Sequence, residues 1–138
     1  MGPLVLILNI VWLVCGGVWM ALAWFLAALL MFLSVVGIPF GFAALSMARY
    51  AVLPFGHTTI ETDSLGNTPI GTLANIVWFV LGGWWLALLH FAHAVALAIT
   101  IIGLPFAWAH LKLAGLALWP LGREVISTDS LPWRSRPF

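Results

Sequence analysis

The amino-acid sequence predicts an all-α membrane protein with about four membrane helices in two tandem helical-hairpin repeats, plus short cytoplasmic β-strands. Hydrophobic residues form 64% of the 138 residues and charged residues 7%, whereas a soluble domain has roughly 45–50% and about 25%. The segment starting at Asn9 recurs without a gap from Asn75, and 25 of the 56 aligned positions are identical. A soluble fold of this length cannot bury so much apolar surface. We therefore predict two membrane-embedded copies of one unit, residues 1–66 and 67–138.

The apolar runs are long enough to cross a membrane. Residues 4–48 and 70–111 contain no Asp, Glu, Lys or Arg, and each run exceeds the roughly 20 residues that span a bilayer. We interpret the first run as a membrane segment rather than a cleavable signal peptide, because no basic region precedes it and because it recurs in mid-chain. The expected partner is the lipid bilayer, and no basic patch indicates a nucleic-acid partner.

A Gly-x-Pro sequence interrupts the apolar run of each repeat. Gly37 with Pro39, and Gly103 with Pro105, are predicted to form hairpin turns, because proline lacks the N–H that would continue the helix. The residues around these turns are almost entirely apolar, although a turn that reaches water is usually polar. Two arrangements therefore stay open, in which the hairpins either span the bilayer or are re-entrant and end inside it.

The lengths of the apolar segments argue for a break before each hairpin. A straight helix over residues 4–36 would be about 50 Å long, more than the hydrocarbon core of about 30 Å. The Gly-Gly pairs at 16–17 and 82–83 are predicted to separate a shallow segment from the hairpin. Six tryptophans lie near the predicted helix ends or breaks, and we interpret them as anchors at the lipid headgroups: Trp12, Trp19, Trp78, Trp84, Trp85 and Trp119.

Each repeat ends in a polar segment with β-branched residues that follows a Pro-x-Gly sequence. These segments read "HTTIETDS" and "REVISTDS" and are predicted to form short strands. An isolated two-stranded ribbon is marginally stable in water. We therefore expect the two strands to pair with each other and to pack against the helices or another subunit.

The basic residues lie late in each repeat: Arg49, Lys112, Arg123, Arg134 and Arg136. Because cytoplasmic segments of membrane proteins carry an excess of Lys and Arg, these parts are predicted to be cytoplasmic. Both copies then end on the same side, each with an even number of crossings. This predicts a multi-pass protein with both termini in the cytoplasm.

Seven polar side chains in or beside the apolar helices are candidates for a pore or polar lining: Asn9, Asn75, Ser34, Thr100, His90, His93 and His110. The alternative for the amides and hydroxyls is a hydrogen bond to a neighbouring helix. The histidines are candidates for proton passage, for metal binding or for hydrogen-bonded packing. Because His-x-x-His lacks the glutamate of a zinc-protease motif, we assign no metal and no cofactor.

Two basic residues interrupt or end the apolar helices without a carboxylate beside them. Arg49 and Lys112 are predicted either to extend to the membrane surface or to attract an anion or a lipid phosphate. Both explanations place them near the polar side of the membrane.

The motifs of the chain resemble those of the YccF family. The resemblance is carried by the Asn-Ile-Val-Trp and Gly-Gly-Trp-Trp segments, the Ile-Gly-Leu-Pro turn and the Ala-Leu-Trp-Pro-Leu-Gly-Arg ending of the second copy. It covers nearly the whole chain. It implies a small protein of the bacterial inner membrane with two tandem copies of one domain, and it implies no catalytic residue.

The sequence leaves two classes of function open. No Ser-His-Asp set, nucleotide loop or haem motif can be assembled, so we do not expect an enzyme. The leading hypothesis is a homo-oligomeric, channel-like or transport-related complex that passes protons or small anions, because matched polar groups on short helices require a partner surface. The alternative is a structural membrane protein that shapes or binds lipid or anchors a partner.

Overall fold

The computed structural model describes residues 2–62 and 68–132. The predicted boundary between residues 66 and 67 lies outside the described residues, and so do Arg134 and Arg136. Within the described parts the chain is mainly helical, and its elements occur in the same order in both repeats.

The first repeat contains three α-helices and one strand: α1 Pro3–Trp12, α2 Val18–Phe32, α3 Ile38–Val52 and β1 His57–Glu61. The second contains the same set: α4 Pro69–Trp78, α5 Trp84–Ala98, α6 Leu104–Leu118 and β2 Arg123–Ser127. One π-helical turn joins the first two helices of each repeat, Leu13–Gly17 and Phe79–Gly83, and a 3₁₀ turn, Thr128–Ser130, follows β2. The runs Pro3–Phe32 and Pro69–Ala98 are long and apolar enough to cross a membrane, while α3 and α6 are shorter.

The chain reverses direction at the two Gly-x-Pro sequences. The Ser34 hydroxyl accepts a hydrogen bond from the Gly37 N–H, and the Thr100 hydroxyl accepts one from the Gly103 N–H, both at 3.0 Å. A Cβ at Gly37 or Gly103 would collide with a backbone carbonyl of the preceding helix. Glycine therefore permits this close turn, and the following proline occupies the first turn of the next helix, where its missing N–H has no consequence.

The chain bends where the sequence predicts a break before the first hairpin. Gly16 has a φ of +126° inside the π-helical turn, so the helix axis changes there. Glycine adopts this conformation readily, whereas other residues rarely do. The bend separates α1 from the hairpin formed by α2 and α3.

The two strands form one antiparallel ribbon shared by both repeats, as the sequence predicts. Thr59 lies opposite Val125, and Glu61 lies opposite Arg123. The Arg123 Nη2 atom is 3.0 Å from Glu61 Oε1, so an ion pair closes one end of the ribbon. Because each repeat contributes one strand, the ribbon forms only when both repeats are present.

The core is aromatic and lies between the two hairpins. Trp12, Trp24 and Trp78 are fully buried or nearly so, and the Trp24 and Trp78 rings stack with centroids 6.2 Å apart. Small residues such as Ala44 and Ala117 let the helices approach these rings. The outer faces of the helices are covered by exposed Leu, Ile, Val and Phe side chains, which is the surface expected of a protein surrounded by lipid.

Candidate functional site

Asn9 and Asn75 hold the entry to each strand against the first helix of the same repeat. The Asn9 amide donates to the Phe55 carbonyl at 3.0 Å and accepts from the Phe55 N–H at 3.1 Å. Asn75 makes the same pair of bonds with Leu121, at 3.2 and 3.0 Å. Both amides are buried, and each one donates and accepts a hydrogen bond within the chain, so the structure accounts for them without a pore. The prediction that they line one stays untested.

Trp12 and Trp78 act inside the protein, and the sequence interpretation of them as headgroup anchors is wrong. Their indole N–H groups donate to the carbonyls of Ala51 and Ala117, at 2.7 and 2.8 Å. The last carbonyls of an α-helix have no partner within the helix, and here the buried indoles supply one. The repeat of both tryptophans and both alanines at the same spacing was the available signal, although it does not identify which atoms meet.

The structure brings His90 and His110 together at the interface between the repeats. The Trp24 indole N–H donates to His90 Nε2 at 2.9 Å, and His90 Nδ1 lies 3.0 Å from His110 Nδ1. Both histidines are fully buried. The His93 ring stacks on the His110 ring with centroids 5.1 Å apart, so all three predicted histidines belong to one cluster.

The hydrogen bonds of this cluster fix the positions of the protons when both buried rings are neutral. Because Trp24 only donates, His90 Nε2 must accept, and the His90 proton is then on Nδ1. That proton is donated to His110 Nδ1, which leaves the His110 proton on Nε2. His110 Nε2 is buried and has no hydrogen-bond partner among the described residues. An unpaired buried donor costs about 1–3 kcal/mol, so the cluster contains one unused hydrogen-bond donor.

Two further histidine contacts complete the cluster, one within the same helix and one with the other repeat. His93 Nδ1 lies 2.8 Å from the Leu89 carbonyl of its own helix, and the His110 ring is 4.3 Å from the Trp12 ring, centroid to centroid. In residues 2–62 and 68–132, no group of three or more His, Cys, Asp or Glu side chains is arranged to hold a metal ion. Of the two buried bonds, Trp24–His90 joins the two repeats and His90–His110 joins the two arms of the second hairpin.

Ser34 and Thr100 lie at the hairpin tips, away from the histidines. Besides accepting from the turn N–H groups, their hydroxyls donate to the Met31 and Leu97 carbonyls, at 3.3 and 3.1 Å. Each hydroxyl therefore stabilises its own turn. Their predicted role in a polar lining is untested.

Arg49 and Lys112 lie on the second helix of each hairpin, on the side nearer the ribbon. The Lys112 ammonium lies 5.8 Å from the centroid of the Trp108 ring, a distance at which the cation is attracted to the ring face. Among the described residues the one ion pair joins Arg123 to Glu61. Neither Arg49 nor Lys112 is neutralised by a described carboxylate.

The comparisons with known proteins agree with the duplicated plan. The family model of YccF, an inner membrane component domain, matches the chain twice, over residues 7–57 and 73–123. The inner membrane protein YccF of Escherichia coli (strain K12) is 36% identical over 132 residues, which cover 90% of this chain and 88% of that protein. The protein of the same name from Shigella flexneri matches to the same extent, and no solved structure matches. The chain therefore belongs to the YccF family of inner-membrane proteins and carries two copies of the family's domain.

Proposed function

We propose that the protein is a structural component of the inner membrane, and that its two hairpins insert into one leaflet from the cytoplasmic side and change the packing of the lipid there. The observation that carries this proposal is the apolar surface of the hairpin tips. Val35, Val36, Ile101 and Ile102 are each between 81% and 86% exposed. The two hydroxyls beside them are bonded to the backbone.

Such a tip is stable in hydrocarbon and unfavourable in water. Exposed turns in water normally carry Asn, Asp, Gly, Pro or Ser, whereas these turns expose four large aliphatic side chains to whatever surrounds them. Each aliphatic side chain gains roughly 1.5–3 kcal/mol when it leaves water for an apolar environment. This supports tips that end inside the bilayer.

The lengths of the hairpin arms support insertion into one leaflet. The helices α3 and α6 have 15 residues each, about 22 Å, whereas a full span requires roughly 20 residues and about 30 Å. Arg49 lies 11 residues after the start of α3, about 17 Å from the tip. With Arg49 among the headgroups, the tip can lie no deeper than about the centre of the bilayer.

The position of α1 agrees with this depth. Asn9 and Trp12 are bonded to Phe55 and Ala51, at the end of α3 that is remote from the tip. The helix α1, which precedes the bend at Gly16, is therefore held at the end of the first hairpin that adjoins the ribbon. Asn75 and Trp78 hold α4 in the same way. Both shallow helices expose apolar side chains that can lie among the lipid chains close to the headgroups.

Thiol labelling tests the depth of the tips. Cys15 is the only cysteine, so C15A gives a background in which V36C or I102C carries the sole thiol, and S130C on the exposed 3₁₀ turn is the matched control. We expect no labelling of V36C or I102C by an impermeant reagent added to either face of the membrane, and labelling of S130C from the cytoplasmic face. Labelling of both tips from the periplasm would show full spans and overturn the proposal.

The effect on lipid is measured separately. Purified protein added to vesicles is expected to reduce their diameter in electron micrographs, since extra volume in one leaflet favours curvature. V36S/I102S places a hydroxyl at each apolar tip and should abolish the effect, whereas T59S, at a partly exposed ribbon residue, should retain it. If the tips are shielded from the reagent but the vesicles keep their diameter, the proposed depth of the hairpins stands and lipid shaping is excluded.

A second function, proton or anion passage through an oligomer, is favoured by the unused donor at His110. A buried N–H aligned with His90 and Trp24 is a group through which a proton or an anion can be bound transiently. Sealed liposomes test it: flux that depends on pH and is lost in H110A supports conduction, and H110A is a suitable variant because Ala44 occupies the same position in the first repeat. Flux equal to that of empty vesicles, or a monomeric particle in detergent, would exclude it.

A further inference from the structure

Two cavities beneath the ribbon are copies of each other. One, of about 450 Å³, is lined on its helical side by Ser46, Arg49 and Tyr50. The other, of about 300 Å³, is lined by the counterparts of these residues 66 positions later: Lys112, Gly115 and Leu116. The ribbon residues correspond in the same way, since Glu124 and Val125 line the first cavity and their counterparts Thr58 and Thr59 line the second.

Each cavity has one basic residue on its helix. The basic residues of the two cavities are not counterparts of each other in the repeat. The first has Arg49 where the second has Gly115, and the second has Lys112 where the first has Ser46. Positions three apart on a helix lie on the same face. The two repeats have thus diverged in which position carries the charge, while each cavity has kept one.

The second cavity has the more favourable chemistry for an anion. Lys112 and Arg123 both line it, together with Thr58 and Thr59, and no described carboxylate does. The first cavity is lined by Arg49 and Arg123 but also by Glu124. Arg123 uses one Nη atom for Glu61, and guanidinium has five N–H donors. Consecutive strand residues point to opposite faces, so at most one of the two threonine side chains faces the cavity. Lys and Arg side chains are the groups that bind phosphate oxygens in proteins.

An apolar cavity beside the second one indicates where the anion comes from. It has a volume of about 410 Å³ and shares Lys112 and Tyr50 with the cationic cavity, while Pro105, Trp108 and Ala109 line its side towards the hairpin tip. An inorganic phosphate ion gains nothing from contact with an apolar surface. A phospholipid carries acyl chains near its phosphate, and one of them can occupy the apolar cavity.

We propose that Lys112 and Arg123 bind the phosphate of an anionic phospholipid whose acyl chain lies along Trp108 and Pro105. The inference rests on the insertion of the hairpins proposed above, because insertion places Lys112 about one helical turn nearer the tip than Arg49, where its long side chain can reach the headgroups. It adds a lipid class and a binding site to that proposal. The site around Arg49 is its weaker copy, because Glu124 opposes an anion there.

The duplication supplies a matched set of variants. K112S removes the cation and reproduces Ser46 of the first repeat. K112S/G115R then places an arginine at the position that corresponds to Arg49, and a side chain fits there because a Cβ at Gly115 meets no atom within 4 Å. K112S/S130K restores the net charge on an exposed residue outside the cavity and is the charge control.

Binding is measured on the full chain in detergent by native mass spectrometry, with dioleoyl phosphatidylglycerol, dioleoyl phosphatidylcholine and inorganic phosphate as probes. We expect phosphatidylglycerol to bind more tightly than phosphatidylcholine, and K112S to weaken it about tenfold, as the loss of one charged hydrogen bond would. K112S/G115R should recover most of the binding, and K112S/S130K should not.

Three results would overturn the inference. Equal retention of both lipids would remove the role of charge, and recovery by K112S/S130K would show attraction by net charge without a site. Inorganic phosphate that competes fully with phosphatidylglycerol at similar concentration would identify free phosphate as the ligand. The binding measurement is made in detergent without a bilayer, so its outcome does not depend on how deeply the hairpins insert. The lipid site can therefore be disproved even if thiol labelling confirms the depth of the tips.

Discussion

The two repeats use the same residues to hold each hairpin together and different residues where the hairpins meet. The asparagine bonds, the tryptophan bonds and the hydroxyl-capped turns occur in both copies with nearly equal distances. The three clustered histidines, His90, His93 and His110, belong to the second copy, and the first copy has Trp24, Ala27 and Ala44 at the matched positions. Contacts within a repeat are therefore made by the same residue types in both copies, whereas contacts between the repeats involve residue types that differ between the copies.

This difference comes from the approximate symmetry of the fold. Trp24 bonds to His90, which is its own counterpart 66 residues later. Two tryptophans facing each other would present two N–H donors and no acceptor. The change of one to histidine supplies the acceptor, so the interface requires the two copies to differ.

The backbone differs at the same interface. Gly16 has a φ of +126° and a Cβ there would lie 3.1 Å from His93 Cδ2, while at its counterpart Gly82 a Cβ meets no atom within 4 Å. The residue that faces Gly16 is a histidine, and the matched residue of the first repeat is Ala27. The bend in one copy therefore coincides with the larger side chain of the other.

The largest effect is expected when the interface is made symmetrical. H90W places two indoles opposite each other, loses the bond to Trp24 and overfills a buried site, so we expect the free energy of unfolding to fall by about 3 kcal/mol or more. Thermal unfolding in detergent measures it. W24H/H90W exchanges donor and acceptor and should regain part of the loss, and a stable H90W would contradict the symmetry argument.

The second test compares the shared asparagine bonds. N75L leaves the Leu121 N–H and carbonyl without partners, and we expect a loss of about 2–4 kcal/mol, the cost of two unpaired polar groups. N9L should cost less, because the Phe55 bonds are only partly buried. Denaturant unfolding of both variants gives the ranking, and an N9L that is less stable than N75L would show that burial does not set the cost.

A smaller difference is expected between the matched glycines. G16A should lower the free energy of unfolding by about 1–3 kcal/mol, because alanine is strained at this φ and meets His93. G82A should be neutral or stabilising by up to about 1 kcal/mol, as for glycine in a helix. The same thermal measurement on both variants checks this, and equal effects would mean that the two breaks have the same conformation.

The smallest effect is expected for H93A, which makes the second repeat like the first at Ala27. His93 is partly exposed and bonds to a carbonyl of its own helix, so its loss removes mainly the stacking on His110, worth about 0.5–1.5 kcal/mol. Thermal unfolding of H93A, G16A and the double variant shows whether the two losses of stability are additive. A loss above that of N75L would give His93 a structural role that its contacts do not explain.

The sequence alone determined the family, the helical repeats and the pairing of the strands. These follow from local signals, namely apolar runs, Gly-x-Pro sequences and β-branched segments, and from the comparison of one copy with the other. The assignment of Trp12 and Trp78 to the membrane surface failed because an indole near a helix end is equally compatible with a buried bond.

Only the tertiary structure decided which groups meet. The bonds of Asn9, Trp12 and Trp24 join residues 46, 39 and 66 positions apart. Although 66 is the offset between the repeats, no local pattern in the sequence shows that a residue meets its own counterpart. Composition placed Arg49 and Lys112 near the polar side of the apolar helices, but only the folded chain shows that they occupy copies of one cavity. Local patterns fix elements because each element is formed by near neighbours, whereas partners are fixed by how the two hairpins and the ribbon pack together.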